Sequence, residues 1–142
     1  MKTKLHAFAG VVALLMIATF WTSTLISELF ADHATIAYVK QLILKGMFIL
    51  IPSMMMVGAS GFSLSQKMRG PVVEAKKKRM RIIAVNGIVV LLPSAFFLAA
   101  KASAGVFDTV FYSVQALELI AGLTNMILII LNIRLGRKLS GR

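Results

Sequence analysis

The side chains of this chain that could do chemistry are two histidines and a few charged residues inside apolar stretches. His6 and His33 are the only histidines, and they bracket the first apolar stretch. Lys40 and Lys45 lie inside the second stretch, and Glu118 lies inside the fourth. An ionisable side chain at membrane depth costs about 2.5 kcal/mol or more, so it persists mainly where a partner or a polar site needs it. These five residues are therefore the first candidates for a functional site.

Four apolar stretches must position these candidates. Of the 142 residues 58% are hydrophobic, and the mean hydropathy is +0.86, well above that of a soluble domain. The chain has no cysteine, which excludes disulfides, thiolate metal sites and cysteine nucleophiles. We predict an all-α fold, a single transmembrane domain over residues 1–142 that forms an up-down-up-down four-helix bundle. The predicted spans are residues 7–28, 36–60, 82–100 and 108–133, with a basic loop over 63–81.

The positive charge of the chain is concentrated at the ends of these stretches. The net charge is +11, and thirteen of the sixteen Lys and Arg lie in the first four residues, in 67–81 or from residue 134 onward. Cytoplasmic flanks of membrane proteins collect Lys and Arg, so we expect both termini in the cytoplasm of a bacterial inner membrane. We also expect anionic lipid head groups to contact the basic loop. A nucleic-acid partner is not expected, because no surface of mixed aromatic and basic residues remains outside the spans.

Each span carries a thin line of polar residues at helical spacing, which we expect to face the bundle interior. In the second span Lys40 lies about a quarter-turn away from that line. The lines are Trp21, Thr24 and Glu28; Gln41, Lys45, Phe48 and Pro52; Asn86, Val90, Pro93, Phe97 and Lys101; and Asp108, Tyr112, Gln115, Glu118, Gly122, Asn125 and Asn132.

Depth along the helices predicts which of these residues meet. A helix rises about 1.5 Å per residue, which places Lys45 and Glu118 both about 14 Å from the outer edge. We predict that they pair, the alternative for Lys45 being that it extends toward the membrane surface along its stem. Lys40, close to the edge, is expected to extend in that way or to contact head groups. Asn86 and Asn125 also match in depth, and a hydrogen bond between them is expected.

The two histidines are expected on opposite sides of the membrane. The 27 residues between them span about 40 Å as a helix, so they cannot ligate one haem or one metal within a single chain. Each could bind alone, pair with a Met or Lys of another span, or pair with its copy in a symmetric dimer. The alternative for His6 is an interfacial side chain without a ligand role. Histidines at helix ends that face a bundle interior are common haem ligands.

The opening KLHAFAG sets Leu5-His6 at the start of the first span, and the stretch Phe20 to Thr24, a lysine-bearing second span and a basic loop follow. This arrangement resembles small four-span bacterial membrane proteins: copper-resistance D-type domains, the haem-containing membrane protoporphyrinogen oxidase and the bacterial cytochrome b561 group. The resemblance implies haem b bound by the histidine near the start of the first span. It also implies that Lys40 or Lys45 serves as a ligand or a propionate contact. The chain lacks the further in-span histidines of the cytochrome b561 pattern.

The leading hypothesis is a small b-type membrane cytochrome, a homodimer that exchanges electrons with quinone or a periplasmic acceptor. Any catalysis would be that of a membrane oxidoreductase. His6 and His33 would be the haem-iron ligands, and an outer polar cluster would hold haem propionates or a quinone head group. A carrier or channel for a proton, an ion or a metal, built on a Lys45–Glu118 pair, is the first alternative, and a structural membrane subunit is the second. The outer polar cluster comprises Trp21, Glu28, Lys40, Lys45, Tyr112, Gln115 and Glu118.

The cytochrome hypothesis makes a spectroscopic prediction. Detergent-purified protein from haem-replete cells should have a Soret band, and His6→Ala or His33→Ala should abolish it because an axial ligand is lost. A colourless wild-type preparation would contradict the hypothesis and favour the carrier.

Overall fold

A computed structural model describes residues 2–66 and 70–140, and these residues form four long helical rods. A π-helical turn over Asn86–Leu91 joins two of the α-helices into one continuous rod. All four rods are long and apolar enough to cross a membrane, which confirms the all-α four-helix bundle and indicates a multi-pass membrane protein. The α-helices are α1 Lys2–Phe30, α2 His33–Ser65, α3 Pro71–Val85, α4 Leu92–Ser103 and α5 Thr109–Ser140.

The distribution of side chains between the interior and the surface is that of a protein solvated by lipid. Large apolar side chains face outward: Phe48 is 82% exposed and Ile120 is 66% exposed. Polar side chains face inward, since Lys40, Gln115 and Asn125 are all buried. An apolar surface needs no protein cover in hydrocarbon, whereas polar groups there must find partners inside the protein. The interior of the bundle is therefore where a polar site can exist.

The two ends of the bundle differ in the connections between rods that they carry. We call the end with the α1–α2 and α4–α5 connections the acidic end, and the end with the α2–α3 connection the basic end. Ile36, Leu98 and Phe111 form an apolar cluster near the acidic end, and Ile17 and Ile83 belong to a second cluster nearer the basic end. The candidate polar residues lie between and around these two clusters.

Aspartates cap the helices at the acidic end. The Thr35 N–H donates to Asp32 Oδ1, and the Phe111 N–H donates to Asp108 Oδ1, both at 2.9 Å. These hydrogen bonds lower the pKa of both carboxyl groups, and Lys101, 3.1 Å from Asp108, contributes to the lowering at Asp108. Each carboxylate satisfies a backbone donor that has no partner within its own helix. The Asp32 and Asp108 carboxylates thus stabilise the starts of the two helices at the acidic end.

The helices extend beyond the predicted spans, most clearly at α3. Residues 71–81 of the predicted basic loop are helical, and residues 67–69 of that loop lie outside the described residues. Pro71 at the start of α3 has a fixed φ suited to the first helical turn, and Glu74 in that turn complements the helix dipole. The basic residues of this segment are therefore presented on a helix.

The polar line predicted in the third span is wrong at Pro93 and Phe97. Pro93 and Phe97 are exposed, whereas Ser94, Ala95 and Leu98 are buried. The π-helical turn is the reason: the Leu92 N–H bonds to the Gly87 carbonyl, five residues back. A π turn inserts one residue into the helix, so side chains after it are rotated relative to a regular 3.6-residue repeat.

The polar line predicted on α2 is also wrong. Gln41, Lys45, Phe48 and Pro52 are all exposed, although Gln41 donates a hydrogen bond to Ser103 Oγ at 2.8 Å. The inward face of α2 instead carries Ile36, Lys40, Val57 and Ser60.

Candidate functional site

Four polar side chains from three helices meet near the acidic end, and we call them the charge cluster. Glu28 comes from α1, Lys40 from α2, and Gln115 and Glu118 from α5. Gln115 and Glu118 lie one turn apart on the polar line predicted to point inward on α5. This prediction is confirmed for these two residues and for Asn125, whereas Asp108 and Tyr112 of the same line are exposed. The charge cluster is the largest concentration of ionisable groups inside the described part of the bundle.

Lys40 occupies the centre of the charge cluster. Its side chain is only 3% exposed, and its ammonium donates a hydrogen bond to Gln115 Oε1. Lys40 Nζ lies 3.9 Å from Glu118 Oε1, and Gln115 Nε2 donates to that same oxygen at 2.9 Å. Gln115 therefore links the ammonium to the carboxylate. Such links are needed because a buried ion pair offsets its desolvation cost only when further hydrogen bonds satisfy both partners.

Glu28 is the least satisfied member of the cluster. Both of its carboxylate oxygens are buried, and neither has a hydrogen-bond partner among the described residues. Its carboxylate interacts electrostatically with Lys40, Glu118 and His33. A buried polar group without a partner costs about 1–3 kcal/mol, and more when it is charged, so it calls for an explanation. A proton or a cation bound at this carboxylate is such an explanation.

The structure corrects the predicted Lys45–Glu118 pair. Lys45 is exposed, and Lys40 is the residue that reaches Glu118. Five residues of helix rotate a side chain by about 140°, so Lys40 and Lys45 cannot both face the interior. Helical depth alone does not distinguish Lys40 from Lys45. The direction in which each side chain leaves α2 decides which of them reaches Glu118. The expectation that Lys40 extends to the membrane surface or contacts head groups is also wrong, because its side chain is buried and bonds to Gln115.

Trp21 lies directly below the charge cluster, toward the basic end. Its indole Nε1 donates to the Leu119 carbonyl at 2.8 Å, and its Cδ1 packs 3.1 Å from where a β-carbon on Gly122 would be. Only a glycine at position 122 lets the indole lie so close to α5. A cavity of about 70 Å³ lies beside it, lined by all four rods and including Thr24 and Glu118. That volume holds a few waters or a small ion and no organic molecule of cofactor size.

The polar line continues past Trp21 toward the basic end. Asn86 Nδ2 donates to Asn125 Oδ1 at 2.8 Å and to the Ala121 carbonyl at 2.9 Å, so the predicted Asn86–Asn125 hydrogen bond is confirmed. Asn86 is also the first residue of the π-helical turn. Asn132, further along α5, donates to the Lys76 carbonyl at 3.3 Å, and its Oδ1 is buried without a partner among the described residues.

The two histidines lie at opposite ends of the bundle. His6 Nδ1 lies 2.9 Å from Ser60 Oγ at the basic end, and the ring packs against Gly61. His33 stacks on Phe107 at the acidic end, with ring centroids 3.9 Å apart. Neither histidine belongs to the hydrogen bonds of the charge cluster. Because the two histidines lie at opposite ends of the bundle, they cannot ligate one iron within a single chain.

The surroundings of His6 and Tyr112 bear on the haem hypothesis. The His6 ring lies between α1 and α2, where it contacts Ser60 and Gly61. Tyr112, placed by the sequence in the outer polar cluster, is 47% exposed and packs edge-on against Phe111 instead. Haem and quinone binding stay predictions, and no step proposed below uses either group.

Comparison of the chain with protein-family models, with curated proteins and with solved structures gave no match. Within residues 2–66 and 70–140, no group of three or more His, Asp or Glu side chains is arranged to hold a metal ion. The function must therefore be argued from the site itself.

Two features of the site were not singled out by the sequence. Glu28 was placed correctly on the face of Trp21 and Thr24, but its lack of a partner depends on three-dimensional packing. Ser60 was not considered as a partner for His6. Ser60 on α2 lies at a depth similar to that of His6 on α1, and this match in depth could have indicated the pair.

The location of the buried lysine predicts different effects of two matched substitutions. Lys40→Met leaves Glu28 and Glu118 without their cation, so we expect it to lower the free energy of unfolding by about 3–5 kcal/mol. Lys45→Met changes an exposed side chain and should have an effect within about 0.5 kcal/mol or stabilise the protein. Thermal unfolding in detergent, followed through the single tryptophan, measures both. A destabilising Lys45→Met beside a neutral Lys40→Met would contradict the assignment.

Proposed function

We propose that this protein is a small membrane carrier that passes a proton or a small monovalent cation through its bundle, with the charge cluster as the binding site. The observation that supports this proposal is the Glu28 carboxylate, whose two oxygens are buried and have no hydrogen-bond partner in the described residues. Glu28 lies near Lys40, and Lys40 already contacts Glu118 and Gln115.

The charge balance of the site indicates the ligand. Glu28 and Glu118 supply two negative charges, and Lys40 supplies one positive charge. One negative charge is left uncompensated in an environment of low dielectric, where isolated charges are costly. A single additional positive charge, carried by a proton or by a small cation, makes the site neutral. An anionic substrate would increase the imbalance, so the ligand class is cationic.

The depths of the three charged residues suggest a route of entry. Glu28 is two residues from the end of α1, about 3 Å along the helix axis, and is the member nearest the acidic end. Lys40 and Glu118 lie about 10 and 14 Å along α2 and α5 from the same end. A cation that enters at the acidic end thus meets Glu28 first. Binding there weakens the attraction between Glu28 and Lys40, which favours the contact of Lys40 with Glu118.

Trp21 is the barrier on the other side of the site. Its indole lies against Gly122, between Glu118 and Asn125 on the polar face of α5. A cation or proton that leaves Glu118 toward the basic end must pass this ring to reach the Asn86–Asn125 pair. The small cavity beside Trp21 offers space for the waters that such a passage requires. The π-helical turn that begins at Asn86 is a position at which a helix can adjust its register locally.

The direction of the route follows from the distribution of charge. Basic residues collect at the cytoplasmic side of membrane proteins, so the basic end faces the cytoplasm and the acidic end faces outward. In a bacterial inner membrane the charge cluster would then be loaded from the periplasm.

Haem-based electron transfer remains the function that the resemblance predicts. It would use His6 and His33, which lie outside the charge cluster. The visible spectrum of the purified protein separates this hypothesis from the carrier, since the carrier requires no chromophore.

The carrier proposal predicts that Glu28→Gln abolishes flux without unfolding the protein. The substitution removes the uncompensated charge, so the thermal stability should be unchanged or higher. Purified protein in liposomes, with a pH-sensitive or an alkali-cation-sensitive dye inside, measures the flux down an imposed gradient. We expect Glu28→Gln to reduce that flux at least about tenfold, because the site loses its ionised ligand.

Lys45→Gln is the control, since it likewise replaces a charged side chain by glutamine but at an exposed position outside the charge cluster, and it should leave the flux at the wild-type level. The proposal is wrong if wild-type liposomes show no flux of protons, Na⁺ or K⁺ above protein-free liposomes. It is also wrong if Glu28→Gln transports as well as the wild type.

A further inference from the structure

We infer that the basic end carries a binding surface for the phosphate head groups of anionic phospholipids. We call this surface the basic face, and it lies mainly on α3. The inference is independent of any transport. The members of the basic face are Lys76, Lys77, Lys78, Arg79 and Arg81 of α3 and Arg134 of α5.

The basic face has a large excess of positive charge. Its six members are all Lys or Arg, and Glu74 is the one acidic residue within residues 70–81 and 134–140. Glu74 lies 3.7 Å from Lys77, and the Glu74 side chain is well exposed, so this pair neutralises little. Like charges spaced three or four residues apart on a helix repel one another. Anions bound at this surface would relieve that repulsion.

Lys76 is held against α5. The Lys76 carbonyl accepts a hydrogen bond from Asn132 Nδ2, which ties α3 to α5. Lys76 Nζ lies only 3.1 Å from where a β-carbon on Gly136 would be, so the ammonium rests against the backbone of α5. Lys76, Lys77 and Lys78 are all half-buried. Lysines at membrane interfaces typically pack their stems along the protein in this way.

The neighbouring surface distinguishes a lipid from a soluble anion. Immediately after the basic residues, α3 exposes Ile82 (43%) and Val85 (60%), and the π-helical turn exposes Ile88 (67%). A molecule with a phosphate and acyl chains matches both parts, with the phosphate on the lysines and the chains along this apolar strip. Inorganic phosphate or a nucleic-acid backbone matches only the charge. A phospholipid is therefore the occupant that the surface favours.

Native mass spectrometry tests this inference. Wild-type protein is released from micelles containing equal amounts of phosphatidylglycerol and phosphatidylcholine with identical acyl chains, and the retained lipids are counted. We expect preferential retention of the anionic lipid. Replacing Lys76, Lys77 and Lys78 together by Gln should reduce this preference at least about tenfold, since each surface charge contributes roughly fivefold. Replacing the same three residues by Arg should preserve it, and Lys45→Gln should leave it unchanged.

Three results would overturn the inference. The first is equal retention of both lipids by the wild type. The second is wild-type preference in the Gln variant. The third is displacement of the anionic lipid by millimolar inorganic phosphate, which would indicate a site for soluble anions. Should the Gln variant fail to fold, the wild type alone decides: its preference must fall as salt rises to about 0.5 M, because screening weakens exposed charge contacts.

Discussion

One buried ammonium group, that of Lys40, organises the interior of this bundle. It lies 3.9 Å from Glu118 and is hydrogen-bonded to Gln115, and it attracts Glu28, so it connects α1, α2 and α5. In a bundle surrounded by lipid, apolar contacts do little to choose one helix arrangement over another, because lipid tails solvate apolar side chains equally well. Polar groups that must find partners inside the protein make that choice. The same requirement gives the bundle a site that can bind a cation.

The fold and part of the site could be predicted from the sequence. Apolar length gave the four spans, and the polar spacing on α5 correctly placed Gln115, Glu118 and Asn125 inside. Helical depth correctly paired Asn86 with Asn125. These predictions depend on rise per residue and on the spacing of a regular helix, which are local properties of the sequence.

Rotation about the helix axis could not be predicted in the same way. On α2 Lys40 and Lys45 lie on different sides of the helix, and only packing against the other rods decides which side faces inward. In the third span a π-helical turn broke the regular repeat, so Pro93 and Phe97 face outward instead of inward. The missing partners of Glu28 depend on the positions of three helices at once. A functional site that violates local regularity is where sequence reasoning is expected to fail.

A charge exchange within the cluster tests most directly whether Lys40 and Glu118 are partners in the interior. Lys40→Glu creates three neighbouring carboxylates, and Glu118→Lys creates two neighbouring ammonium groups, so each alone should lower the unfolding temperature markedly. The combined Lys40→Glu/Glu118→Lys protein again has one lysine beside two glutamates. We predict that its unfolding temperature returns to within about 5 °C of the wild type. A combined variant no more stable than either single variant would contradict the account.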